Sequence, residues 1–315
     1  MRFRNAVHIT IDNFTNVFKL LLYSLVIMSL SACFIYLILK LGLSSILNSP
    51  ELQELKTLLV GFVRALISGD SEFLKTFSES FSEGIKAFVL LLGNESGSII
   101  GAVIGVCVMY LLGRFAIGLA QFAFADNIND RARTLSRTKF YVSFTKNIGK
   151  AALYQIIYVP LSFVYDVGMF ALSWFVCFYL PTMIFSHALL AVLMSIALTI
   201  ASVLCLQALK LAVISNWIPS VVCGNLSVAA GFRYSFKAKN FWRRLGTFVI
   251  SIFIIYTVNM LFIVFTFGSA FVLALPMSIL FVLCLQLTFY YEDNGVKYFI
   301  STDKIAGEEP PVLGE

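Results

Sequence analysis

What most limits how this chain can fold is a succession of apolar runs, each of about the length that crosses a lipid bilayer. They cover residues 17–41, 98–122, 151–178 and 183–215, and a last stretch, 245–290, holds two more divided near Phe267-Gly268-Ser269. A helix rising 1.5 Å per residue needs roughly 20 residues to cross ~30 Å of hydrocarbon. Inside that layer there is no water for the peptide groups, so each run must bond to itself as a helix. The expectation is an all-α, polytopic membrane helical bundle of six transmembrane helices. With 59% hydrophobic and 13% charged residues the chain lies far from a soluble domain, where about a quarter of residues are charged. Residues 1–290 therefore read as a single membrane domain, and 291–315, with Glu308-Glu309-Pro310-Pro311, as a largely disordered tail.

Charge alternates between the connections. The long loop 42–96 carries seven acids (Glu51, Glu54, Asp70, Glu72, Glu79, Glu83, Glu95) against four bases (Lys56, Arg64, Lys75, Lys86). Residues 126–150 are instead basic, with Arg131, Arg133, Arg137, Lys139, Lys146 and Lys150, and the connection before 245 is basic again. Cationic loops stay in the cytoplasm, so the pattern predicts three helical hairpins in the cell membrane with N- and C-termini cytoplasmic. In loop 42–96, Leu52, Leu55, Leu59, Phe62, Val63 and Leu66 form one amphipathic stripe, and Phe73, Leu74, Phe77, Phe81 and Ile85 a second. They read as two helices lying on a surface.

Each hairpin is expected to follow an interfacial amphipathic helix. In the third of these segments, residues 225–246, helical spacing places Arg233, Lys237, Asn240 and Arg244 on one side and Ala229, Phe232 and Phe236 on another, with Arg243 adjacent. A basic face opposite an aromatic one suits the headgroup layer. Residues 1–19, with Val7, Ile11, Phe14 and Phe18 in register, form the first such segment; Phe140-Tyr-Val-Ser-Phe144 aligns on Phe232-Arg-Tyr-Ser-Phe236 as the second. The net charge of +6 is thus accounted for by topology and calls for no nucleic acid. The partners implied are anionic lipid headgroups and a second copy or another membrane protein.

Within the runs the ionisable residues reduce to Arg114, Asp166 and His187, because Lys40 and Lys210 lie near enough to an edge for their ammonium groups to reach it. A charge at such depth is costly and marks a functional site by default. Arg114 and Asp166 fall at similar depths, which predicts an ion pair, either a structural pair fixing helix register or an anchor for a charged group. Asn259, Gln207 and Gln286 are amides that line an interior polar patch or bond between helices. Gly97, Gly101 and Gly105 repeat every fourth residue and present a face for close helix packing. Leu30-Ser-Ala-Cys33 resembles a lipidation signal, yet the apolar run continues through Phe34-Ile-Tyr-Leu, as in a span. Six cysteines without a C-x-x-C pair, and only two histidines, give no metal site. Walker, G-x-S-x-G and H-E-x-x-H motifs are absent, so no enzyme and no cofactor is expected.

Trp217-Ile-Pro-Ser-Val-Val, Ala229-Ala-Gly-Phe-Arg-Tyr-Ser-Phe and Asn240-Phe-Trp-Arg-Arg-Leu-Gly246 together resemble a motif set of poorly characterised bacterial six-pass membrane proteins. The membrane domain attached to some glycerophosphodiester phosphodiesterases looks similar. The resemblance spans residues 217–246 of 315 and implies a membrane scaffold without transferring any active-site residue. The leading functional reading is a non-enzymatic scaffold that organises lipid or partner proteins. The alternative is a small-solute or lipid transporter or permease component with a polar interior around Arg114 and Asp166; a membrane-embedded lipid enzyme comes third. A dry interior favours the first, and a continuous polar cavity from Arg114 to His187 the second.

Overall fold

Forced to bond internally, the apolar runs do form helices. The computed structural model describes residues 2–68, 71–176, 183–184, 188–237, 240–268, 271–301 and 304–306. It is an all-α, multi-pass membrane protein with, among the described residues, six helices long and apolar enough to span a bilayer. Helices α1 (Arg2–Asp12) and α2 (Thr15–Gly42) are followed by α3 (Ser44–Leu47), α4 (Pro50–Ser68) and α5 (Ser71–Asn94). Next come α6 (Ser96–Thr134), α7 (Phe140–Trp174), α8 (Ala188–Ile214), α9 (Trp217–Val222), α10 (Val228–Ser235), α11 (Phe241–Phe265) and α12 (Phe271–Asp293). A short antiparallel pair, β1 (Tyr298–Ser301) and β2 (Lys304–Ala306), follows. The chain divides into two compact units, residues 26–113 and residues 1–25 with 114–315.

In the unit 26–113, α4 and α5 lie against each other. Phe77 stacks on Phe62 and Phe81 with ring centroids 4.4 and 5.1 Å apart, so the two aromatic stripes of the acidic loop meet mutually. Val60, Val63, Val89 and Leu90 remain exposed on the same helices.

The unit formed by 1–25 and 114–315 has its core around the second half of α12, where Leu283, Cys284, Leu285, Leu287, Phe289 and Tyr291 are all buried. Helices α1, α9 and α11 pack on α12, and β1 on α1. Trp217 in α9 is fully buried; its indole N–H donates to the Val228 carbonyl at 2.9 Å, and its ring meets Tyr154 and Phe232.

The three amphipathic segments turn out differently from one another. α1 turns Asn5, Ala6, Ile9 and Thr10 to the core and leaves Ile11 outward, and it ends before the exposed Phe14 and Phe18, the latter in α2. At the second basic segment no separate helix forms: α6 continues to Thr134 and α7 starts at Phe140. At 39 and 35 residues these helices run about 58 and 52 Å, well beyond one bilayer. Buried polar groups allow this, because Ser143 donates to Asn127 Oδ1 at 3.1 Å and Lys146 to Asp126 at 3.2 Å between the two helices. The third segment does not continue as one helix, since α10 stops at Ser235 and Asn240, in the left-handed region at φ 54°, restarts the chain as α11. Arg233, Lys237 and Arg244 thus share no helical face.

Past α12, Gly295 takes φ 62° and Val296 N–H donates to the Tyr291 carbonyl at 2.8 Å, a left-handed helix stop. The tail then departs from the disorder expected after 290. Tyr298 is buried and its hydroxyl accepts from Asn5 Nδ2 at 2.9 Å, which ties the β-pair to α1. Residues 307–315, with the acidic and proline-rich stretch, lie outside the described residues.

Candidate functional site

Arg114, near the middle of α6, directs its guanidinium at α7. Nη1 donates to Asp166 Oδ2 at 2.8 Å and Nη2 to Ser162 Oγ at 2.6 Å. Ser162 and Asp166 are one helical turn apart, so a single planar fork engages both. The other carboxylate oxygen of Asp166 accepts from Lys210 Nζ, on α8, at 2.7 Å. Lys210 also lies 5.9 and 5.7 Å from the ring centroids of Tyr158 and Tyr165, within cation–π range. Asp166 is therefore held from two other helices, and two cations share it.

Lys210 overturns an expectation. Its side chain is only 9% exposed and does not reach for an edge. The helices end at different levels: Asp166 lies 26 residues from the start of α7, about 39 Å, whereas Lys210 is four residues from the end of α8, about 6 Å. Since α7 packs along α8, a residue near the end of one falls level with the interior of the other. Sequence alone sets all span ends at a common depth, which hides this.

Asn259 does not join the cluster; its Nδ2 donates to Ser278 Oγ at 3.0 Å, linking α11 to α12. His187 lies outside the described residues. Beside the charged cluster, within the same unit, α7, α8, α11 and α12 surround a cavity of about 240 Å³. Its lining includes Gln121, Tyr158, Gln207, Tyr256, Ser278 and Gln286, while Arg114 and Asp166 are not part of the wall. Tyr158 has one face on the cavity and lies beside the Lys210 ammonium. Gln207 Nε2 reaches only the Met169 sulfur at 3.3 Å, and Gln286 Oε1 is buried without a hydrogen-bond partner.

A second charged cluster closes the far end of α12. Arg244, expected at the headgroup layer, is 0% exposed; it pairs with Asp293 and donates to Ser215 Oγ at 2.5 Å. Arg2 pairs with Glu292 and, at 3.3 Å, with Asp293. Both guanidinium groups lie over Phe289, at 4.9 and 5.2 Å from its centroid. Arg233, Lys237, Trp242 and Arg243 are all exposed, so the outward basic face is built from these residues without Arg244. Nearby, burial pushes the Cys223 thiol up to about 12. The Tyr298 hydroxyl is likewise pushed up to about 12, chiefly by burial and further by Glu292.

Of the three glycines expected at a helix interface, an added Cβ at Gly105 would meet Ile38 at 2.9 Å, whereas Gly97 and Gly101 meet nothing within 4 Å. The site also depends on a glycine the sequence did not single out. Gly118 lies directly under the Gln155 amide, and any side chain there would collide with it. Among the described residues no group of three His, Cys, Asp or Glu side chains comes together. Compared with known protein families, curated proteins and solved structures, the chain finds no match.

Proposed function

We propose that the protein is a small-solute or lipid transporter or permease component of a bacterial cell membrane, with both termini cytoplasmic. One observation carries this reading: Asp166 is bound at once by Arg114 and Lys210, on two neighbouring helices, within apolar runs. Charged groups at that depth recur where an ion or substrate passes. The scaffold alternative calls for a dry interior. The cavity with Gln121, Gln207 and Gln286 in its wall weighs against it, while Arg114 and Asp166 lie beside that cavity and do not line it.

Exposed Lys237, Trp242 and Arg243 fit contact with anionic headgroups, each cation adding about 1 kcal/mol near a charged leaflet. The likeness to the membrane domain of glycerophosphodiester phosphodiesterases enters as a likeness of scaffold. It supplies no catalytic group here.

Alternating access gives a test that needs no substrate. With Gln207→Cys in a background lacking the native cysteines, a membrane-impermeant thiosulfonate should react in vesicles of either orientation. Reaction from neither face overturns the transport reading. In the same vesicles, cysteines at Glu72 and Lys139 should label from opposite faces, and labelling from one face refutes the proposed topology.

A further inference from the structure

We propose that a basic pocket where α1 gives way to α2 binds one anionic phospholipid by its phosphate. The pocket has a volume of about 90 Å³, roughly three waters at ~30 Å³ each, which is room for a single phosphate group. Its wall carries three cations, Lys19 on α2, Arg131 near the end of α6 and Arg137 in the connection to α7, together with the hydroxyl-bearing Thr15 and Ser136. No acid is among the described lining residues. The chain leaves α6 at Leu135, in the left-handed region at φ 56°, and the connection that follows places Arg137 at the start of α2.

The charges set the sign of the ligand. Lys19 and Arg137 are exposed, and neither pairs with an acid among the described residues; Lys19 Nζ has the Asn16 amide oxygen at 3.4 Å. Arg131 is held differently: its Nε and Nη2 fork onto Asp12, which fixes the guanidinium and leaves Nη1 outside the pair. Asp130 accepts from the Thr138 hydroxyl and is not part of the wall. Against the three cations these two acids leave one positive charge unbalanced, the charge that a single phosphodiester cancels. Like charges around one pocket repel, and an anion between them removes that cost. Depth selects a lipid over a soluble anion. The first apolar run begins at Val17, and Asn13, also in the wall, precedes it by four residues, about 6 Å at the helical rise. The headgroup layer is about 5–7 Å deep on each side of the hydrocarbon, so the pocket lies at phosphate level. Beside Lys19, Phe18 and Leu22 are one helical turn apart on α2 and 50% and 66% exposed, an apolar track for an acyl chain. The inference needs the chain to span a bilayer and does not rest on the transport reading.

The experiment uses the full chain in detergent micelles, captured on scintillation-proximity beads. The probe is tritiated dioleoyl phosphatidylglycerol, and the unlabelled competitors are the same lipid, dioleoyl phosphatidylcholine and inorganic phosphate. Saturable binding of phosphatidylglycerol is expected. Phosphatidylcholine has the same phosphodiester and chains but carries its own cation, which the pocket repels, and should compete roughly tenfold more weakly. Inorganic phosphate, which has no chain for the Phe18 and Leu22 track, should compete more weakly still. Lys19→Gln with Arg137→Gln should weaken phosphatidylglycerol binding roughly ten- to thirtyfold, the effect of two cations near an anionic headgroup. Lys237→Gln with Arg243→Gln, which removes two exposed cations elsewhere, should leave it unchanged. Displacement by inorganic phosphate as effective as by phosphatidylglycerol assigns the pocket to a soluble anion and overturns the lipid. Equal competition by phosphatidylcholine, an unchanged affinity in Lys19→Gln with Arg137→Gln, a comparable loss in Lys237→Gln with Arg243→Gln, or no saturable binding also overturns the proposal. Should the Lys19 and Arg137 substitutions prevent folding, the ranking of competitors on the wild-type protein and the Lys237 and Arg243 substitutions decide.

Discussion

Two charged clusters in one unit obey opposite rules. At the end of α12, Arg2 and Arg244 face Glu292 and Asp293, so charge is balanced, and Arg244 is completely buried and also bonded to Ser215. Within the spans, Arg114 and Lys210 share Asp166, and the Arg114 and Asp166 side chains are 24% and 25% exposed. In this balanced cluster Arg244 and Asp293 are sealed, at 0% and 5% exposed, and they join α11 and α12 to α1 and to the turn after α8. A cluster whose described members hold more cations than acids, with a partly open face, can exchange partners. The difference lies in charge count and in the full burial of the Arg244–Asp293 pair, where depth alone treats the two clusters alike.

The largest expected effect is on the sealed cluster. Arg244→Met leaves Asp293 with only its 3.3 Å contact to Arg2 and should cost up to about 3–5 kcal/mol, seen as loss of monodisperse protein or a large fall in thermal midpoint. Lys210→Met, which leaves the Arg114–Asp166 pair intact, should change the midpoint far less while altering access at residue 207. Equal damage from the two substitutions would refute the distinction.

Next in size is a charge exchange. Arg114→Asp with Asp166→Arg preserves a simple pair, but Lys210 would then face an arginine where it now contacts a carboxylate at 2.7 Å. The exchange should fail to restore stability, and adding Lys210→Met should recover part of it, a non-additivity expected of residues in one network. Full rescue by the exchange alone would mean that Lys210 is not coupled to the pair.

A smaller effect is predicted at the β-pair. Tyr298→Phe removes the bond from Asn5 and should cost about 1 kcal/mol. Because the folded-state hydroxyl is pushed up to about 12, above the ordinary tyrosine value near 10, its contribution is complete below pH ~10. It is lost as pH rises toward 12. The thermal midpoint of the wild type should therefore fall over that interval more steeply than that of Tyr298→Phe. The smallest effect is kinetic: with its thiol pushed up to about 12, Cys223, kept as the one cysteine, should label with maleimide at pH 8 more slowly in the folded protein than after denaturation.

The Arg114–Asp166 contact was legible because both residues interrupt long apolar runs at matching distances from their ends. Lys210 was not, because its level depends on how far α7 outruns α8. Arg244 was misread for a related reason. Helical spacing placed it with Arg233 and Lys237, but the left-handed Asn240 ends that helix and hands Arg244 to α11, where Asp293 and Ser215 receive it. In the tail, Tyr298 needed the Asn5 side chain from the other end of the chain, a contact 293 residues apart that no local pattern announces.

By itself the sequence determined that this protein crosses a membrane as helices, where those helices lie and which charges are trapped among them. Hydrophobicity and peptide hydrogen bonding act over a few turns, and they settle those matters locally. Only the tertiary structure decided which trapped charges meet, which end of α12 is sealed and where a cavity is left between spans. Those depend on the relative offset of helices that have no sequence relation to one another, fixed by side-chain packing over the whole unit.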